Sequence, residues 1–446
     1  MSVLRNRLVL MAAAAVVATA CTEKLDSGSA CPALCPVEQL GIQDTTIEGV
    51  VFDTTVGQFP TIGAESQIAL VTRADGALDL RAALRFDTLP YTYTSKATHA
   101  TGTTSDTIAF VDSSRLVFRV DTTLGRLSDS VAFGAYDIDT TDVVDTTTAT
   151  LATLFRDDRL LGTAKFSRAT LGDTAALKIP LDDAKILAKV VAKGRLRVGV
   201  RVLGSNNITL GLRASNGGSG AFLSFRPSRL ATGPTLEDST SVVTQGLESK
   251  TPADDIPVAA NLADFALIVR GTPPVPVQEL GVGGLPSSRV YLRFDVPQRL
   301  LDSTQIVRAT LRLTQLPSPT ALPNDSLSIA FWMGTATALV TDHVLAASLH
   351  EQLIQASDGS VIYGMANIRP KQLDTGESAT RSIEVAGLLR AWFNVKPTDR
   401  PHALIIQSFA EGTRPLELRF ASREAAAALR PTLQITFVPR ATAGVP

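Results

Sequence analysis

The 446-residue chain is long enough for two or three domains, each with its own core. Its charges balance, with 42 Lys and Arg residues against 43 Asp and Glu residues, so the chain as a whole has no basic field to hold nucleic acid. Aromatic residues make up only 5% of the chain, so few rings are available for stacking on a ligand.

The first twenty residues have the organisation of an export signal. Two arginines precede an apolar stretch at 8–17, and small residues then lead to Cys21. This arrangement resembles the bacterial lipoprotein signal, although Ala18 stands where those signals prefer leucine. The resemblance implies that residues 1–20 are removed and that Cys21 is lipidated, and Thr22 after it favours the outer membrane. The alternative is an ordinary secretory signal cleaved after a small residue.

Residues 21–43 are rich in small residues, proline and charges, which predicts a flexible tether. Cys31 and Cys35 lie within it and could form a small loop disulfide in an oxidising compartment. A closed zinc site is disfavoured there, because two thiolates lack the further ligands that such a site needs. No later stretch reaches the ~20 apolar residues that span a bilayer, so the lipid would be the only anchor.

A first domain is predicted at 44–228, built from many short strands. Apolar and polar residues alternate in segments such as 115–121, which is the pattern of half-buried strands. One short helix is predicted at 182–193, with Asp182 or Asp183 as its N-cap and a glycine after its end.

A second domain is predicted at 236–440, after a linker at 229–235 and before a tail at 441–446. It repeats the first domain in order, most clearly in the Arg-Phe-Asp sequences at 85–87 and 293–295. Segment 263–270 is expected to correspond to 66–73, and the helix at 386–393 to the helix at 182–193. The sequence therefore predicts an all-β fold of two tandem jelly-roll-like β-sandwiches, each with one short inserted helix.

The second copy resembles a known family. Its R-V-Y-L-R-F-D at 289–295 is similar to the core of the DNRLRE domains, and its R-P-T-L-Q-I-T-F at 430–437 resembles their closing strand. The segment 385–392, which ends at Trp392, resembles their helix before a tryptophan. The first copy keeps L-R-F-D but lacks this tryptophan at its helix and the R-P-x-L ending. Those domains are jelly-roll modules of secreted bacterial proteins, and some are classed as carbohydrate-binding. The resemblance implies the fold and assigns no ligand residue.

No catalytic constellation is recognisable. The four histidines, none of them in a recognisable motif, are His99, His343, His350 and His402. Asp87 and Asp295 belong to different domains, so they are not a natural glycosidase pair. The glycine-rich segment 216–220 is expected to be a hairpin loop, because no helix follows it to hold a phosphate. The sequence predicts no catalytic residue and no metal ligand, and it gives no motif for a structural calcium ion.

Four aromatic residues are candidates for stacking on a sugar: Trp332, Trp392, Tyr291 and Tyr363. A core position is the competing interpretation of each ring. Arg85 and Arg293 are expected to point away from the core side of Phe86 and Phe294, towards an ion pair, an exposed sheet face or a ligand.

These features predict a non-catalytic lipoprotein of the outer membrane or cell surface, which acts as a surface-binding or scaffold module without a cofactor. Its expected partners are the membrane, through the lipid, and a polysaccharide or another envelope protein, but not nucleic acid. The alternative is a polysaccharide-active or other hydrolase with an unrecognised site.

Overall fold

The fold is seen in a computed structural model of the chain. The described residues are 41–60, 62–94, 105–121, 130–140, 148–167, 176–204, 207–218, 220–232, 242–245, 264–321, 325–335, 339–350, 353–355, 360–370, 379–394 and 402–440. The predicted signal, residues 21–40 of the predicted tether with Cys21, Cys31 and Cys35, and the tail at 441–446 lie outside them, so lipidation and the disulfide stay predictions.

Strands dominate the described residues. They are β1 (Gln43–Ile47), β2 (Val50–Phe59), β3 (Gln67–Thr72), β4 (Asp79–Phe86), β5 (Thr92–Tyr93), β6 (Asp106–Thr107), β7 (Phe110–Asp121), β8 (Val131–Asp137), β9 (Leu160–Phe166), β10 (Ala176–Pro180), β11 (Leu196–Leu203), β12 (Ile208–Arg213), β13 (Phe222–Ser228), β14 (Val242–Gln245), β15 (Asp264–Arg270), β16 (Glu279–Gly283), β17 (Ser287–Phe294), β18 (Thr304–Leu316), β19 (Leu327–Thr335), β20 (Tyr363–Ile368), β21 (Ala379–Glu384), β22 (His402–Ser408), β23 (Glu417–Ala421) and β24 (Thr432–Pro439).

Five short α-helices accompany the strands in the described segments. They are α1 (Thr148–Ala152), α2 (Asp183–Val191), α3 (Gln298–Ser303), α4 (His343–His350) and α5 (Ala386–Asn394). Helices α2 and α5 are the two that the sequence predicts, and the Asp182 carboxylate caps α2 by accepting hydrogen bonds from two backbone amides. The other three helices were not expected. Two of them have only five or six residues, too few to show a helical period. No described helix is long and apolar enough to cross a membrane.

The two sandwiches share one strand topology. In the first, β4 is followed across its sheet by β11, β8 and β9, and in the second β17 is followed by β22, β19 and β20. Strand β7 pairs with β10, β12 and β13, just as β18 pairs with β21, β23 and β24. The predicted fold of two tandem all-β, jelly-roll-like sandwiches is therefore confirmed. We call β4 and β17, which contain Arg-Phe of the repeated motif, the signature strands.

Two strand pairs join the sandwich of the other copy. The N-terminal arm, defined as β1 and β2, pairs with β24 and β17 of the second sandwich. The linker arm, defined as β14 and β15, pairs with β13 and β4 of the first sandwich. In each sandwich the first strand of the arm thus binds the last strand of the core, and the second binds the signature strand.

This pairing differs from the predicted segments at 44–228 and 236–440. The first segment gives its two opening strands to the second sandwich, and the chain crosses between sandwiches at 60–66 and again at 271–278. The expected correspondence of 263–270 with 66–73 is wrong, because β15 is the counterpart of β2. Alternation of apolar residues identifies the buried face of a strand but not the strand beside it.

Each sandwich has a separate apolar core that includes residues of its signature strand. Phe86 and Leu84 are in the core of the first sandwich, and Phe294 and Leu292 are in the core of the second. Phe86 is 3% exposed and Phe294 is 4% exposed, as the two-residue period predicts. The outer faces of both signature sheets are partly covered by smaller apolar clusters, which include α1 in the first sandwich and α4 in the second.

Candidate functional site

The structure separates the four aromatic candidates into two buried residues and one adjacent pair. Tyr291 is fully buried and Trp392 is 6% exposed, so both belong to the interior. Trp332 on β19 is a cross-strand partner of Tyr363 on β20, and their ring centroids are 5.0 Å apart with an interplanar angle of 31°. Tyr363 is 51% exposed, so this pair reaches the surface.

The local sequence explains why these rings lie on the outer face of their sheet. Along β19 the core takes Ile329, Phe331 and Met333, and the two-residue period therefore turns Trp332 outward. Strand β20 lies at the edge of the sheet, and its outward residues Tyr363 and Met365 are both exposed.

A third ring completes the surface and was missed by the sequence analysis. Phe409 follows β22, is 48% exposed, and stands edge-on to Tyr363 with centroids 6.5 Å apart. The two rings flank the middle strand β19, where the outward residues Ser328 and Ala330 have small side chains that permit this approach. The signal for Phe409 was the two-residue period, which places it on the same side as Ile405 and Gln407.

One polar group lies among these apolar side chains. Gln407 on β22 is the cross-strand partner of Ala330, whose other neighbour is Met365. Its Oε1 atom is buried and has no hydrogen-bond partner among the described residues. A buried acceptor without a partner is unfavourable in a folded protein. We define the aromatic face as Trp332, Tyr363, Met365, Gln407 and Phe409.

The equivalent face of the first sandwich is closed. The counterparts follow from the strand registers: Leu84–Val198 and Gly199–Tyr136 in the first sandwich match Leu292–Leu404 and Ile405–Trp332 in the second. Tyr136 thus replaces Trp332, and it is only 2% exposed. It lies against Phe155, with centroids 5.4 Å apart, and under the guanidinium of Arg201, the counterpart of Gln407, at 4.9 Å. Only the second sandwich therefore presents open rings at this position within the described residues.

The two signature arginines do not join the aromatic face. Arg85 forms a salt bridge with Asp87, in which Nε lies 2.6 Å from Oδ1, so the ion-pair interpretation is confirmed for this residue. Burial lowers the pKa of the half-buried Arg293, and the neighbouring Asp295 opposes this shift. Asp87 and Asp295 lie in different sandwiches, as the sequence predicts, on the ends of β4 and β17.

The described histidines pack against aromatic rings. His343 begins α4 and its ring centroid is 4.5 Å from that of Phe59, while His402 is 2% exposed with its ring 5.6 Å from Trp392. His99 and the side chain of His350 lie outside the described residues. No group of three or more His, Cys, Asp or Glu side chains that could hold a metal ion is found in the described part of the chain. The enzyme, metal and calcium expectations therefore stay predictions.

Two buried acids were also missed by the sequence analysis. Burial raises the pKa of Glu65 to about 7, with a further contribution from the charge of Asp264. Burial also raises the pKa of Glu417 to about 7, although its Oε2 is 2.5 Å from Nε of Arg419. Glu65 lies in the crossing segment 60–66, and Asp264 is the first residue of β15 in the linker arm. The pairing of that arm with the first sandwich brings the two carboxyl groups close together.

Comparisons with known proteins add little to this geometry. No family model matches the chain, and no curated protein matches it. A similar solved chain from the structure of the Macrobrachium rosenbergii nodavirus has 10% identity, covers 87% of this chain and 98% of that one, and gives a TM-score of 0.15. A chain of infectious bursal disease virus, Gt strain, has 10% identity, covers 91% and 78%, and gives 0.14. Similarity at these TM-scores does not support a functional assignment.

Proposed function

We propose that this chain is a non-catalytic lipoprotein of the cell envelope that binds polysaccharide through the aromatic face of its second sandwich. The exposed pair Tyr363 and Phe409 carries the proposal, because large apolar rings on a surface are commonly binding sites. The rings offer flat apolar contact to the C–H faces of sugars.

The contrast between the two copies supports this assignment. The first sandwich covers the equivalent tyrosine with Phe155 and Arg201, which is what a face without a ligand would be expected to do. In the second sandwich, Trp332 at the equivalent position lies beside exposed rings, although exposed aromatic surface is costly in water. Retention of such a surface in one copy favours a binding role over a general feature of the fold.

A glycan array tests the binding proposal. The chain is expected to bind a defined set of glycans, and the double variant Tyr363→Ala, Phe409→Ala is expected to lose them. Tyr91→Ala is the matched control, because Tyr91 is a 41% exposed tyrosine on the first sandwich. Equal binding by the wild type and the double variant would contradict the assignment, and release of sugar products from a bound glycan would contradict the non-catalytic part.

The location of the protein rests on its first residues and has its own test. The resemblance of residues 1–21 to a lipoprotein signal supports a lipid on Cys21, followed by a tether that ends where β1 begins. Mass spectrometry of the mature N-terminus is expected to find diacylated or triacylated Cys21. A mature chain that starts unmodified at another residue would contradict the anchor.

A further inference from the structure

We propose that the N-terminal arm is an exchangeable element, through which one copy of this chain completes the second sandwich of another copy, head to tail. The chain order suggests it. Each arm precedes a core, and the linker arm completes the core that comes before it in the chain. The N-terminal arm instead skips the first core and closes on the second core of its own chain. The second core of another copy offers the same strands, β24 and β17, for the arm to pair with.

The contacts of the arm would be the same in either arrangement. Strand β1 pairs with β24 over five residues, and β2 pairs with β17 from Val50 to Phe59, so each arm strand binds an existing edge. Ile47, Phe52, Val56 and Phe59 are each no more than 7% exposed against the second sandwich. Because the acceptor surface is identical in every copy, the choice between closure and exchange depends on the hinge and on the chain concentration.

The hinge at 60–66 is under local constraint in the closed form. Glu65, within the hinge, keeps its carboxyl group buried, and Gly412 of the second sandwich leaves little room beside Pro60. Opening the hinge would return the Glu65 carboxyl group to solvent. Seven extended residues span up to ~25 Å, enough to carry the arm away from β3.

Trans cross-linking tests the exchange with the hinge intact. Thr46 on β1 and Gln434 on β24 are exposed cross-strand partners, whose expected Cα separation of ~4.5–5.5 Å suits a disulfide. In a background with Cys21, Cys31 and Cys35 changed to Ser, one chain carries Thr46→Cys and the other carries Gln434→Cys. After mixing and oxidation, a linked heterodimer is expected on a non-reducing gel, in a fraction that increases with protein concentration.

A mismatched pair is the control for collisions. Gln305→Cys replaces Gln434→Cys, because Gln305 is an exposed residue of β18, which lies beyond β24 from β1. Heterodimer no more abundant than in this control, at every concentration, would overturn the proposal. As a second measurement, deletion of 62–64 shortens the hinge and should convert the chain to dimers or larger species by light scattering. A folded monomer from this deletion would also overturn the proposal.

Discussion

Tyr136 and Trp332 occupy equivalent positions in the two sandwiches, yet only Trp332 lies beside an exposed ring. Tyr136 is enclosed by Phe155 and Arg201, and the signature sheet of the first sandwich has no open aromatic surface at this point. The two copies thus have the same strand topology and equivalent cores, but they differ in the outer face of one sheet. The features common to both sandwiches belong to the fold, and the aromatic face found in the second sandwich is the part that we assign to binding.

Truncation of the signature phenylalanine is expected to be severely destabilising. Phe294→Ala removes a buried ring from the core of the second sandwich and should lower the free energy of unfolding by about 3–5 kcal/mol. Phe409→Ala removes an exposed phenylalanine from the same sandwich and should change it by less than ~0.5 kcal/mol. Denaturant unfolding of both variants makes the comparison, and similar losses in the two would contradict the placement of Phe294.

Tryptophan fluorescence can show which sandwich the N-terminal arm stabilises. The chain has two tryptophans, Trp332 and Trp392, and both lie in the second sandwich. Phe52→Ala in β2 should therefore lower the denaturant midpoint that their emission reports, because the ring of Phe52 packs against the second sandwich. Phe118→Ala, in the core of the first sandwich, is the control and should affect that midpoint less. A larger effect of Phe118→Ala than of Phe52→Ala would contradict the pairing of the N-terminal arm with the second sandwich.

The buried carboxyl group of Glu65 predicts a pH dependence of stability. Its pKa is about 7 in the folded chain, against an ordinary value of 4.5, so the folded state holds a proton that the unfolded state loses between these values. The free energy of unfolding should therefore decrease as pH rises from about 4.5 to about 7, by up to ~3 kcal/mol from this group. Glu65→Gln should remove that part of the decrease and be the more stable chain at pH 8.

An exposed acid serves as the control for this pH effect. Glu48→Gln changes a solvent-exposed carboxylate between the two strands of the N-terminal arm. Its unfolding free energy should follow that of the wild type from pH 4.5 to pH 8. If Glu65→Gln also follows the wild type across this interval, the assigned burial of Glu65 is wrong.

The strands and their buried faces could be predicted from the sequence, but the neighbours of several strands could not. The alternation around Phe86 and Phe294 places both rings in the core, and Asp182 marks the start of α2, because these signals are local. The partner of β15 depends on contacts far away in the chain. Periodicity carries no information about that partner.

The same limit applies to the aromatic face. Trp332 and Tyr363 were candidates from their side chains alone, while Trp392 and Tyr291 looked equally suitable and are buried. Tyr363 is exposed because β20 lies at the edge of its sheet, and Tyr291 is buried because α4 packs over it. Phe409 joins the face only because β22 lies next to β19, a pairing between segments about 75 residues apart in the chain.

A fluorescence titration with a glycan that binds on the array tests the aromatic face most directly. Trp332 lies in the face, so stacking of a sugar should change its emission with saturation, and the change should persist in Trp392→Phe, which leaves Trp332 as the reporter. Tyr363→Ala should weaken binding about tenfold or more, equivalent to about 1.4 kcal/mol, while Tyr91→Ala binds as the wild type does. Unchanged affinity in Tyr363→Ala, or a titration in which Trp332 emission does not respond, would contradict the assignment.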